Sequence, residues 1–173
     1  DEITGAFSLG TRLFVSTRYR IFKISFVVGN TDWDVKKVKN WGFVPRTVDI
    51  LFVKDVGKEI AVGESWDKRI RFFDGSDDNI VSDNVENDNG MCDFSLEAIS
   101  YSGSGLTTNF GITDQNSQVY KLITVIGSNS TETTHMLNLD GRTLSFYHYS
   151  NQKFQSACIS QSANRQFLVA CDR

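Results

Sequence analysis

The sequence predicts an all-β chain built from a repeated unit of three short strands. Three observations carry this: apolar residues alternate in period two, compact turn signals separate the alternating runs, and the pattern returns at a nearly constant step. The clearest copy spans 48–73. There an apolar run (Val48, Ile50, Leu51, Phe52, Val53) meets the turn signal Asp55-Val56-Gly57-Lys58. Ile60 and Val62 then alternate with Glu59, Ala61 and Gly63, and Ile70 and Phe72 follow a second turn at Trp66-Asp67-Lys68. Second strands of successive copies start at Leu13, Ile60 and Leu106, 47 and 46 residues apart. A step of roughly 40 to 50 residues carrying only short strands marks WD40-like β-propeller blades. A three-stranded meander cannot bury both faces, so each unit needs a neighbour stacked on it.

In chain order, the first copy holds strands at 6–8, 13–16 and 21–28. The segment 31–45 reads as a connecting loop with a mixed charge run at 34–39 and a strand at its middle, and 32–39 is the one place where a helix longer than two turns is allowed. Its Trp33 and Trp41 are expected to pack between units, because indole rings contribute large buried area. The stretch 74–90 is rich in Asp, Asn, Gly and Ser. Its spacing does not keep the Asp-x-Asp-x-Asp-Gly pattern of a calcium loop, so it reads as a solvated acidic loop and no metal site is expected. The third copy has strands at 96–101, 106–112 and 118–123, with turns at 102–105 and 114–116. A hairpin at 136–149 and two strands at 157–160 and 167–171 form a less regular fourth copy. The predicted unit boundaries are 1–45, 46–92, 93–130 and 131–173, within one partial propeller of three to four blades. Ile60, Val62, Ile70, Phe72, Leu106, Phe110 and Val119 are expected between blades. The opening DEITG without Met and the ending at Asp172-Arg173 in mid-blade suggest a piece of a larger propeller, with the rest supplied by further sequence or another chain.

Composition bounds the function. The 173 residues carry a formal charge of −3 and a pI near 5.4, which gives no basic footprint for phosphate backbones, so direct nucleic-acid binding is not expected. No apolar run reaches the roughly 18 residues of a membrane span. Cys92, Cys158 and Cys171 are odd in number and widely spaced, unlike a disulfide framework or a zinc site, which favours reduced thiols and a nuclear or cytoplasmic location. Asn129-Ser130-Thr131 is a glycosylation sequon and keeps a secreted alternative open. His135 and His148 flank a turn without any accompanying catalytic motif. The chain is therefore expected to be non-catalytic and to need no cofactor. Recognition is expected at turns set at one level of the repeat, through Arg18, Tyr19, Arg20, Trp66, Asp67, Lys68, Asp114 and Asn116, since loops on rigid strands commonly carry binding and interface anchors favour Trp, Tyr and Arg.

Three segments resemble a known family. Leu13-Phe14-Val15-Ser16 followed by Arg20-Ile21-Phe22-Lys23-Ile24, the 48–73 copy with Gly57, Ile60, Val62 and Gly63, and 96–122 with Gly111, Asp114, Asn116, Val119 and Leu122 are similar to blades of the final propeller in the family of the damaged-DNA-binding protein large subunit and the cleavage and polyadenylation specificity factor large subunit. The resemblance covers roughly 6–123. It departs at Gly63-Glu64 and Ile112-Thr113, and 127–173 matches nothing in the family, as in a divergent fungal cullin-adaptor member. It implies a scaffold, such as an adaptor in a ubiquitin ligase for DNA repair or in a nucleic-acid-processing complex, with cullin or processing-complex subunits as partners. A second resemblance, of Ile60 to Phe73 and Asp78 to Val81 to a blade of fucose-type fungal lectins, implies a sugar held by Arg71, Glu64 and Trp66; only one copy carries that set.

Overall fold

The computed structural model describes residues 2–26, 32–67, 69–82, 108–126, 133–143, 145–152, 156–162 and 165–171. Among them the regular structure is entirely β. Strands β1 (Ile3–Leu9), β2 (Arg12–Thr17), β3 (Ile21–Phe26) and β4 (Trp33–Lys39) form one four-stranded antiparallel sheet in sequence order. Strands β5 (Asp49–Val53), β6 (Lys58–Glu64), β7 (Ile70–Phe73) and β8 (Asp78–Ile80) form a second of the same kind. The third comprises β9 (Thr108–Asp114), β10 (Val119–Ile126), β11 (Thr133–Asp140) and β12 (Phe146–Gln152), and β13 (Ser156–Ser162) pairs with β14 (Arg165–Cys171) in a hairpin.

The tight turns follow from local chemistry. Gly10 and Gly57 close the β1–β2 and β5–β6 connections at φ of 58° and 63°, a left-handed conformation in which a Cβ would be strained. Asp74 and Asp114 cap turns with their side chains, accepting backbone N–H bonds from Ser76 and Asp77, and from Asn116 and Ser117.

Alternation places one apolar set of each strand against a neighbouring sheet. Phe7, Leu9, Phe14 and Ile21 of the first sheet pack with Phe43, Ala61 and Phe73. Phe7 and Phe14 stack with centroids 5.6 Å apart, and Phe73 meets Phe14 edge-on at 5.3 Å. The opposite face of the second sheet, with Leu51, Val53, Val62, Ile70 and Phe72, packs on Tyr120, Leu122 and Leu139 of the third. The second sheet thus lies between the other two. Each fully buried large apolar side chain contributes about 1.5–3 kcal/mol. The first strands of successive sheets are neighbours, β1 with β5, β5 with β9 and β9 with β13. Gly111 permits the second of these approaches: a Cβ there would lie 2.0 Å from the Thr47 carbonyl oxygen, and its N–H donates to the Arg46 carbonyl at 2.8 Å.

Several expectations need correcting. Residues 33–39 are strand β4, whose seven residues complete the first sheet as its fourth strand. The hairpin 136–149 belongs to the third sheet, because β11 pairs with β10 along its whole length. The strand expected at 106–112 falls on β9, which among the described residues is an edge strand of that sheet and pairs only with β10. The sequence-level repeat therefore slips by one strand after the second copy. Strand phase is as expected at Val62, Ile70 and Phe72, which are buried, with Ile60 packed against the same cluster. Phe110 and Val119 are half-buried instead, while Tyr120 and Leu122 fill the inter-sheet core. Both alternating sets of β10 contain apolar residues, so period two cannot choose between its faces. Leu106 lies outside the described residues. Trp41 packs between sheets as expected, whereas Trp33 is 62% exposed and meets Phe26 edge-on at 5.2 Å.

Candidate functional site

In a meander successive turns alternate between the two ends of the sheet. The β2–β3 and β6–β7 connections share one end with the β4–β5 connection, as the Trp66 N–H bond to the Gly42 carbonyl shows. At this end Thr17 closes its turn by donating both N–H and hydroxyl to the Arg20 carbonyl, at 2.8 and 3.3 Å. Buried Thr17 anchors the turn, and Arg18, Tyr19 and Arg20 project outward. The neighbouring connection is held by Ser65, whose N–H bonds to the Arg69 carbonyl at 2.8 Å.

Beneath that loop lies an ion network absent from the sequence-level expectation. Arg71 is 9% exposed. It donates Nε to Ser65 Oγ at 3.0 Å, Nη1 to Asp78 at 2.9 Å and Nη2 to Asp67, while its guanidinium lies 4.8 Å from the Trp41 ring centre. Burial raises the Asp67 pKa, but hydrogen bonds from Arg71 and Ser65 and the charges of Arg71 and Arg69 outweigh it and hold the carboxyl below its ordinary value. The network fixes the loop that carries Trp66. A charged residue between apolar Ile70 and Phe72 was the available sequence signal for it.

Trp66 is thereby displayed at 37% exposure, and Tyr19 at 55%. Arg18 joins them across two sheets: its guanidinium carbon lies over the Trp66 ring at 4.7 Å and over the Tyr19 ring at 5.2 Å. Both distances fall within cation–π range.

The structure therefore brings together Arg18, Tyr19 and Trp66, with Arg20 and Asp67 in the same turns. Lys68 lies outside the described residues. Asp114 and Asn116 are elsewhere, which corrects the expectation that three turns share one level. They join β9 to β10, the first turn of their sheet, and so sit at the opposite end, beside the β5–β6 turn, where Lys54 Nζ donates to the Asn116 carbonyl at 3.3 Å. Also at that end a cleft of about 660 Å³ lies between the first two sheets. Its charged lining is already engaged: Glu59 accepts the Gly10 N–H at 2.6 Å, and Arg12 donates to the Asp74 carbonyl at 3.4 Å.

The sugar-holding set Arg71, Glu64 and Trp66 does not form an open cup, since Arg71 and Glu64 are buried and Arg71 is bonded to Ser65, Asp67 and Asp78. His135 and His148 fall in β11 and β12. Among the described residues no group of His, Cys, Asp and Glu could hold a metal ion, and no helix is long and apolar enough to cross a membrane.

Comparison with protein-family models, curated proteins and solved structures finds no match to this chain.

Proposed function

We propose that the stacked sheets are successive blades of a β-propeller, and that the chain is a non-catalytic scaffold that binds partner proteins at the end carrying Arg18, Tyr19 and Trp66. The observation that carries the reading is this trio, drawn from two sheets, exposed, and held on turns that the Arg71 network and Thr17 make rigid. Trp, Tyr and Arg are the residues on which interface energy concentrates, and a preorganised cluster lowers the entropy lost on docking. The sequential adjacency of β1, β5, β9 and β13 supports the propeller reading, since innermost strands of neighbouring blades meet around a common axis. The family resemblance in 6–123 supports an adaptor role in a ubiquitin ligase or a nucleic-acid-processing complex, in the nucleus or cytoplasm.

The test is affinity purification from cells with wild-type and Trp66→Ala bait, read by mass spectrometry beside melting curves of both proteins. The scaffold reading expects defined subunits recovered with wild type and lost with the variant at nearly unchanged Tm. Identical recoveries with both baits would remove Trp66 from the interface, and a large drop in Tm would make it a core residue.

A further inference from the structure

We infer that the Arg18 cluster is a carboxylate-recognition site, so that the partner segment it takes is acidic; this rests on the scaffold reading above. Arg18 is exposed and lies over the rings of Trp66 and Tyr19. Among the described residues it makes no hydrogen bond and no ion pair, in contrast to Arg71, which is fully engaged by Ser65, Asp67 and Asp78. A guanidinium offers its five N–H groups in its own plane, while its faces suit aromatic rings. Ring contacts therefore hold this side chain and leave its donor edges available for a planar, bidentate acceptor. Because the rings already order the side chain, less rotamer entropy is lost when a ligand docks.

The surroundings have the matching sign. Among the described residues, the three connections at this end, 17–20, 40–48 and 65–69, carry Arg18, Arg20, Arg46 and Arg69 against a single acid, Asp67, which is already bonded to Arg71 and Ser65. This group of arginines belongs to a chain of net charge −3, and it is a short cluster on three turns, not a continuous basic track. A cluster of that size favours a short acidic peptide over a nucleic-acid backbone, which needs an extended basic track.

Fluorescence polarisation of the full chain tests this. The probes are a labelled, C-terminally amidated peptide alternating Glu and Ser, its Gln counterpart in amidated and free-acid forms, and a labelled oligodeoxythymidylate. The expected result is tighter binding of the Glu peptide than of the amidated Gln peptide by about tenfold or more, the ratio a charge-assisted bidentate contact supplies. Arg18→Lys, which keeps the charge but loses the planar fork, should abolish most of that preference. Stronger binding of the free-acid Gln peptide than of the Glu peptide would assign the site to a chain terminus and overturn the acidic-segment claim. Equal binding of Glu and Gln peptides, an unaffected Arg18→Lys protein, or tighter Arg18-dependent binding of the oligonucleotide would each overturn it too. The two readings fail separately: subunits lost with Trp66→Ala but retained with Arg18→Lys would leave the scaffold standing and overturn carboxylate recognition, whereas identical recoveries with wild-type and Trp66→Ala baits would count against the scaffold reading itself.

Discussion

The Tyr120 hydroxyl donates a 2.6 Å hydrogen bond to the Thr47 carbonyl oxygen, tying β10 of the third sheet to the connection that leads into the second. Tyr120 is 1% exposed, so the bond joins two groups that water does not reach. Tyr120→Phe keeps the ring and removes the donor. The expected loss is about 1–3 kcal/mol, the cost of leaving a buried partner unsatisfied, read by urea unfolding. An unchanged midpoint would show that the carbonyl finds another donor.

The same residue makes a pH prediction. Burial, then the charges of Glu64 and Asp49, raise the Tyr120 pKa well above 10.0. The folded state thus retains a proton that the unfolded state releases near pH 10, so this contribution is intact below pH 10 and declines as pH rises beyond it. Wild type should lose Tm above pH 10 more steeply than Tyr120→Phe. Parallel curves would exclude Tyr120 as the cause.

Asp67 gives the opposite sign. Its carboxyl is held below 3.8 in the folded chain, so its contribution is present above about pH 4 and disappears as pH falls through the folded value. The Tm gap between wild type and Asp67→Asn should narrow below pH 4. A gap independent of pH would mean that the charge of Asp67 contributes nothing.

Two glycines should respond differently to Ala. At Gly10 nothing lies within 4 Å of an added Cβ, and only the positive φ objects, so the cost should be about 1–2 kcal/mol. At Gly111 the Cβ would collide with the Thr47 carbonyl and with the Tyr120 side chain. Gly111→Ala should force the second and third sheets apart and cost more than Gly10→Ala in matched denaturation curves. The reverse order would contradict the close approach of β9 to residue 47.

Inter-sheet packing sets the scale for core substitutions. Phe14→Ala and Leu122→Ala, from the two separate clusters, should each cost about 2–5 kcal/mol in chemical denaturation. Losses below about 0.5 kcal/mol at both, the range of ordinary surface changes, would show that these faces do not pack as described.

Local chemistry was legible in the sequence alone. The all-β class, the turns at Gly10 and Gly57, the alternation that buries Val62, Ile70 and Phe72, and the exposed turn residues Tyr19 and Trp66 all follow from neighbours within a few positions. Tertiary structure decided which strands pair. Every strand of a meander shows the same period of two, so nothing local told that β9 opens the third sheet and that β11 and β12 close it; that slip moved Asp114 and Asn116 to the far end. It also decided which turns meet: Arg18 and Trp66 belong to different sheets, and only stacking of the aromatic faces around Phe14, Phe43 and Phe73 brings a guanidinium over that indole. Period and turn chemistry are short-range, whereas strand partners and ring contacts are set by which faces the packed sheets bury.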